Sequence, residues 1–107
     1  MKASIANYGQ SPRKTRLVTD LVKGKTVKDA LVALTFLEKR AADPVAKLIR
    51  SALANAEKQG EDGSRLYIKS ITVNKGLVRV KFMPRAFGRA SPIRRRMSHV
   101  AVELGKR

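Results

Sequence analysis

Three observations predict an α+β domain in which a small three-stranded antiparallel sheet packs on three helices, in the order β-α-α-α-β-β, with a long extended β-hairpin arm. A short alternating segment opens the chain, three stretches with apolar residues at helical spacing follow, and two strand-like stretches flank a cationic segment near the end. At 107 residues the chain suffices for one domain with a modest core.

Residues 2–8 alternate Ala3, Ile5 and Asn7 against Ser4, Ala6 and Tyr8, with Gly9 as punctuation, which predicts a short edge strand. Ser11-Pro12 supplies an N-cap hydroxyl and a proline at the first helical position. Leu17, Val18, Leu21 and Val22 then form an apolar face, and Gly24 stops the helix, so the first helix is expected over Pro12–Lys23. Its first turn carries Arg13, Lys14 and Arg16, although the positive end of the helix dipole favours acids there. A phosphate on the free N–H groups of the helix start would compensate that placement; a solvated basic face is the plainer alternative.

Thr26 and Asp29 resemble a capping box, and Val27, Ala30, Leu31, Leu34 and Leu37 follow at helical spacing, predicting a second helix over Val27–Lys39. Asp43-Pro44 opens a third helix, whose wide stripe is Val45, Leu48, Ile49, Ala52, Leu53 and Ala56. Gln59–Ser64 is a polar turn.

From Leu66 to Val73 the apolar residues change phase, which calls for a bulge near Lys69 and Ser70. Asn74-Lys75-Gly76 fits either a tight hairpin turn or a kink in one long strand. The return strand favours the kink: Leu104, Val102, Val100, Ser98, Arg96 and Arg94 share one face, which passes from apolar to guanidinium, so the core ends near Ser98. The globular part is therefore expected at about 1–76 and 98–107, and the arm at about 77–97. Pro84, Gly88, Ser91 and Pro92 predict an irregular tip where a ladder is hard to keep.

Net charge is +16, and seven of the eight acids lie before residue 63. The stretch Arg79–Arg96 contains no acid and seven cations: Arg79, Lys81, Arg85, Arg89, Arg94, Arg95 and Arg96. With Lys75 at its base and the cations of the first helix, this is the electrostatic footprint of a polyanion binder. Arginine's planar fork suits bidentate phosphate contacts and stacking on exposed bases, which matter most on folded RNA. Phe87 at the tip is placed to stack on a base or fill an apolar crevice.

Enzymatic chemistry finds little support. His99 is the single histidine, and it reads as a structural residue or a phosphate contact. Cysteine is absent, the acid pairs lack the partners of a metal site, and the glycines match no phosphate-cradling motif, so no catalysis, metal or cofactor is expected. No signal-peptide core and no membrane-length apolar run is present, so a soluble chain is expected.

Ser11-Pro12-Arg13-Lys14 with Arg16-Leu17-Val18, Ala52-Leu53-Ala54-Asn55-Ala56, Met83-Pro84-Arg85-Ala86 with Gly88-Arg89-Ala90 and Ile93, and Ser98-His99-Val100 together resemble the large-subunit ribosomal protein family numbered twenty-two. The match covers nearly the whole chain, in order. The resemblance implies a monomer within the large subunit of a bacterial-type cytoplasmic ribosome. Such a protein binds several domains of the large ribosomal RNA, supports its folding and assembly, touches neighbouring ribosomal proteins, and lines the peptide exit tunnel beside the nascent polypeptide. It places Arg85, Ala86, Phe87, Gly88, Arg89 and Ala90 at the tunnel-facing tip, and Arg94, Arg95, Arg96 and His99 along the arm that threads the RNA. It also favours the kink over the tight turn. A DNA-binding architectural protein with two basic β-arms and a proline wedge is the alternative reading.

Overall fold

The computed structural model describes residues 2–84 and 90–106, with side chains for residues 2–78, 80 and 96–106. Its elements are β1 (Lys2–Tyr8), α1 (Pro12–Val22), α2 (Val27–Thr35), α3 (Ala42–Lys58), a 3₁₀ turn (Gly63–Arg65), β2 (Leu66–Pro84) and β3 (Ala90–Lys106). β3 is central, with β1 and β2 antiparallel on either side. Helices pack on one sheet face around Ile49, Ala52, Leu66, Ile68, Val100, Val102 and Leu104, all nearly inaccessible to water. The α+β class and the edge position of β1 are as expected.

Several element boundaries differ from the sequence reading, each for a local reason. In β1 the alternation breaks at Asn7, which has φ 52° in a register shift between Ile5 and Tyr8, so Tyr8 rather than Asn7 packs against the core. The buried stripe of α1 is Thr15, Val18, Thr19 and Val22, whereas Leu17 and Leu21 are 60% and 51% exposed. Threonine can line a core here because the helix satisfies it: Thr15 Oγ1 donates to the Ser11 carbonyl at 3.0 Å and Thr19 Oγ1 to that of Arg16 at 3.3 Å. Ser11 holds the N-cap position, but its side chain makes no capping bond.

Thr26 does cap α2, its hydroxyl accepting from the Asp29 N–H. The helix ends at Thr35 rather than Lys39: Leu34 is its last fully buried residue, and Phe36 at the C-cap is 82% exposed. α3 begins at Ala42, with Ala41 rather than Asp43 as its N-cap. Burial of Ala41 and Ala42 draws the start back, and Pro44 still fits because first-turn N–H groups have no intrahelical partner. At the other end, Glu61 N–H reaches the Ala56 carbonyl and Gly60 N–H that of Glu57, with Gly60 at φ 83°, a Schellman ending.

β2 is one continuous strand. Its register shifts between Ile68 and Ser70, the expected bulge, and again between Lys75 and Val78, the kink. Its outer edge is partly covered by the α1–α2 connection, where Gly24 N–H donates to the Ile68 carbonyl and Ile68 N–H to that of Lys25. The last β1 pair is Tyr8 with Ser98; beyond it only β2 and β3 remain, paired from Val78 with Arg96 to Pro84 with Ala90. The ladder thus runs through Pro92 and reaches Pro84, whose partner is Ala90, while the tip expected to be irregular falls on residues 85–89, outside the described residues. A two-stranded ribbon has only edge strands, where alternate N–H groups point away from the partner and proline fits. The long dimension is 62 Å and the radius of gyration 16.9 Å, against about 13 Å for a compact chain of this size.

Candidate nucleic-acid interface

The predicted cations fall into two groups, at the start of α1 and along the two-stranded ribbon. Arg13 and Lys14 are exposed on the first turn of α1, where no acid is present. Arg16 is differently employed. Its Nη2 and Nε both donate to the Val73 carbonyl, at 2.8 and 3.3 Å, tying α1 to β2 just before the kink. Its role in the fold is an anchor, a use that spacing along the helix could not reveal.

On the ribbon, backbone register sorts the cations by face. Arg79 stands opposite Arg95 and Lys81 opposite Ile93, so Arg79, Lys81 and Arg95 share one face; Arg94 and Arg96 lie on the other, opposite Val80 and Val78. That second face continues the core face: Ser98 is fully buried and Arg96 exposed, so the core ends where the sequence predicted. Two arginine positions in direct cross-strand register repel one another unless an anion lies between or beside them. Lys75 is exposed beside the kink, paired with Ser98. Of the predicted tip, Ala90 pairs with Pro84, while Arg85, Ala86, Phe87, Gly88 and Arg89 lie outside the described residues.

At the base of the ribbon, Asn7 and Gln10, whose roles the sequence reading did not anticipate, meet His99, Gly76 and Ser98, which it singled out. Asn7 N–H donates to His99 Nδ1 at 3.1 Å, and Asn7 Oδ1 accepts from the Leu77 N–H at 3.1 Å. A Cβ on Gly76 would lie 3.1 Å from the Met97 backbone and 3.2 Å from Asn7 Oδ1, so glycine permits the close approach at the kink. Ser98 Oγ donates to the Gln10 carbonyl at 2.6 Å. The available signal was an asparagine inside a strand pattern, a residue that tolerates the left-handed region.

Among the described residues the ion pairs are Lys69 with Glu103 at 4.0 Å and Lys106 with Glu61 at 2.8 Å, both away from the ribbon. Arg13, Lys14, Lys75 and Arg96 are therefore not in ion pairs with described residues. Burial pushes the Tyr8 phenol above its ordinary pKa, and the nearby Arg40 guanidinium draws it partly back. No group of three His, Asp or Glu side chains that could hold a metal occurs among the described residues, and no described helix is long and apolar enough to cross a membrane.

A family model described as ribosomal protein L22p/L17e matches residues 3–105. A large ribosomal subunit protein uL22 from Geobacter sulfurreducens is 56% identical over 95 residues, which are 88% of this chain and 86% of the relative. The uL22 protein of Pelobacter propionicus is 50% identical over 103 residues, covering 95% and 93% of the two chains. That of Syntrophotalea carbinolica is 50% identical over 107 residues, covering 99% and 97%.

Proposed function

The chain belongs to the ribosomal protein L22p/L17e family, a family of large-subunit structural proteins and not of enzymes, and we propose that it binds large-subunit ribosomal RNA by embedding its ribbon in it. The observation that carries this reading is the register of the arm. Cation positions occupy both faces of a two-stranded ribbon that extends past the last pairing of β1, and Arg79 faces Arg95 directly. A surface-lying strand pair needs cations on one face only; a ribbon surrounded by phosphates uses both.

In this reading Arg13 and Lys14 hold phosphate at the start of α1, while Lys75, Arg79, Lys81, Arg85, Arg89, Arg94, Arg95, Arg96 and His99 follow the RNA outward. The tip, residues 85–90, forms part of the wall of the exit tunnel passed by the nascent polypeptide, and the globular part meets neighbouring ribosomal proteins.

Sedimentation of the tagged protein from lysate after a high-salt wash tests the assignment. Retention in the large-subunit and whole-ribosome fractions is expected; recovery at the top of the gradient or with chromosomal DNA would overturn it. For the purified chain on a large-subunit RNA fragment, Arg96→Ala should reduce the slope of log K against log salt by roughly one.

A further inference from the structure

We infer that the cavity between the start of α1 and the α2–α3 connection is a binding site for one unstacked adenosine of the RNA, read by the side-chain amide of Gln10. This inference rests on the RNA-binding reading and adds to it a base-specific site in the globular part. The cavity has a volume of about 270 Å³ and is lined by Gln10, Lys14, Leu17, Val18, Lys39, Arg40 and Ala41. That is just below the range of small-molecule pockets, a size that suits a single base and its sugar.

The lining divides by chemistry into three parts. Leu17, Val18 and Ala41 give an apolar surface, and the 60% exposure of Leu17, a residue whose spacing predicts core, places a bare leucine where a base would lie. Lys14, Lys39 and Arg40 give three cations, none in an ion pair with a described residue, for the flanking phosphates. Gln10 gives one amide. Its Oε1 is buried and makes no hydrogen bond, an unusual condition for a buried carbonyl oxygen.

The backbone of Gln10 is held from both sides, its N–H donating to the Tyr8 carbonyl at 2.8 Å and its carbonyl accepting from Ser98 Oγ at 2.6 Å. The amide therefore projects from a fixed point, while its terminal torsion is soft enough to turn the carbonyl into the cavity. A side-chain amide pairs in two bonds with adenine, its oxygen accepting from the 6-amino group and its nitrogen donating to the adjacent ring nitrogen. Unstacked bases offering these edges over an apolar surface are the usual targets of sequence-specific RNA recognition.

The test compares binding of the full chain to a hexauridylate carrying one central adenosine and to the same oligomer carrying purine riboside, which lacks the 6-amino group. Roughly tenfold tighter binding of the adenosine form is expected, as one well-formed amide pair confers. Gln10→Leu should bring the two oligomers to equal affinity, and Lys39→Ala should weaken both by the same factor. Equal affinities for the wild-type chain, or a difference that survives Gln10→Leu, would overturn the adenosine site and leave the RNA-binding reading standing. Failure of the wild-type chain to bind either oligomer at low salt would also overturn the adenosine site, while the RNA-binding reading falls only if the chain is lost from the large-subunit fractions.

Discussion

Asn7 and His99 are joined across β1 and β3 by a hydrogen bond of 3.1 Å from the Asn7 N–H to the imidazole Nδ1, at the point where the sheet narrows from three strands to two. The bond uses the Nδ1 lone pair, which leaves Nε2 as the ring nitrogen that carries the proton in the neutral form. Asn7 also accepts from Leu77 with its side chain, so one residue in a left-handed conformation connects all three strands at the base of the arm.

Replacing Asn7 by alanine removes the acceptor for Leu77 and puts a less tolerant residue at φ 52°. A loss of about 1–3 kcal/mol is expected, from one hydrogen bond and the left-handed backbone. Asn7→Gly should recover the backbone share only. Urea unfolding of the two variants decides it; an alanine variant as stable as the wild type would mean the node does not hold the arm.

Arg16→Lys tests the anchor between α1 and β2. A lysine ammonium cannot reproduce the two-pronged donation to the Val73 carbonyl, so a loss of roughly 0.5–1.5 kcal/mol is expected with the charge retained. Amide exchange should quicken around Val73 to Lys75. Unaltered exchange there would show that charge alone is what Arg16 contributes.

Gly105 lies directly under the Tyr67 ring in the β2–β3 pairing, and a Cβ at that position would fall 2.8 Å from the ring carbon Cε1. Gly105→Ala should destabilise the chain by about 1–3 kcal/mol through overpacking. In the Tyr67→Ala background the same change should cost much less, and the double-mutant cycle measures the coupling. Additive effects would contradict a clash with the ring.

Asp62 accepts from the Ser64 backbone N–H at 3.0 Å. That bond, the Ser64 hydroxyl and the Arg65 charge hold its carboxyl below the ordinary value of 3.8. Because the folded state holds this proton less tightly than the unfolded one, the contribution is full above 3.8 and is lost as pH falls through the lower folded value. Asp62→Asn should flatten the acid limb of stability measured across that window, with the wild type and variant converging at the acid end. An acid limb of undiminished slope in Asp62→Asn would place the titration elsewhere.

Periodicity alone determined the order of elements, the bulge after Ile68 and the end of the core at Ser98. A strand that loses its apolar face, or shifts it by one residue, leaves that record in the residues themselves. The cationic character of the arm was equally legible, since charge needs no coordinates to be counted. The rotation of α1 onto Thr15 and Thr19 was not legible, because a buried threonine hydroxyl is satisfied by its own helix only once the helix exists. Nor were the use of Arg16 as an anchor, the direct opposition of Arg79 and Arg95, or the meeting of Gln10 with Lys39 and Arg40 around one cavity. Each joins residues distant in the chain, and which of them meet is decided by strand register and helix packing, which depend on all the elements at once.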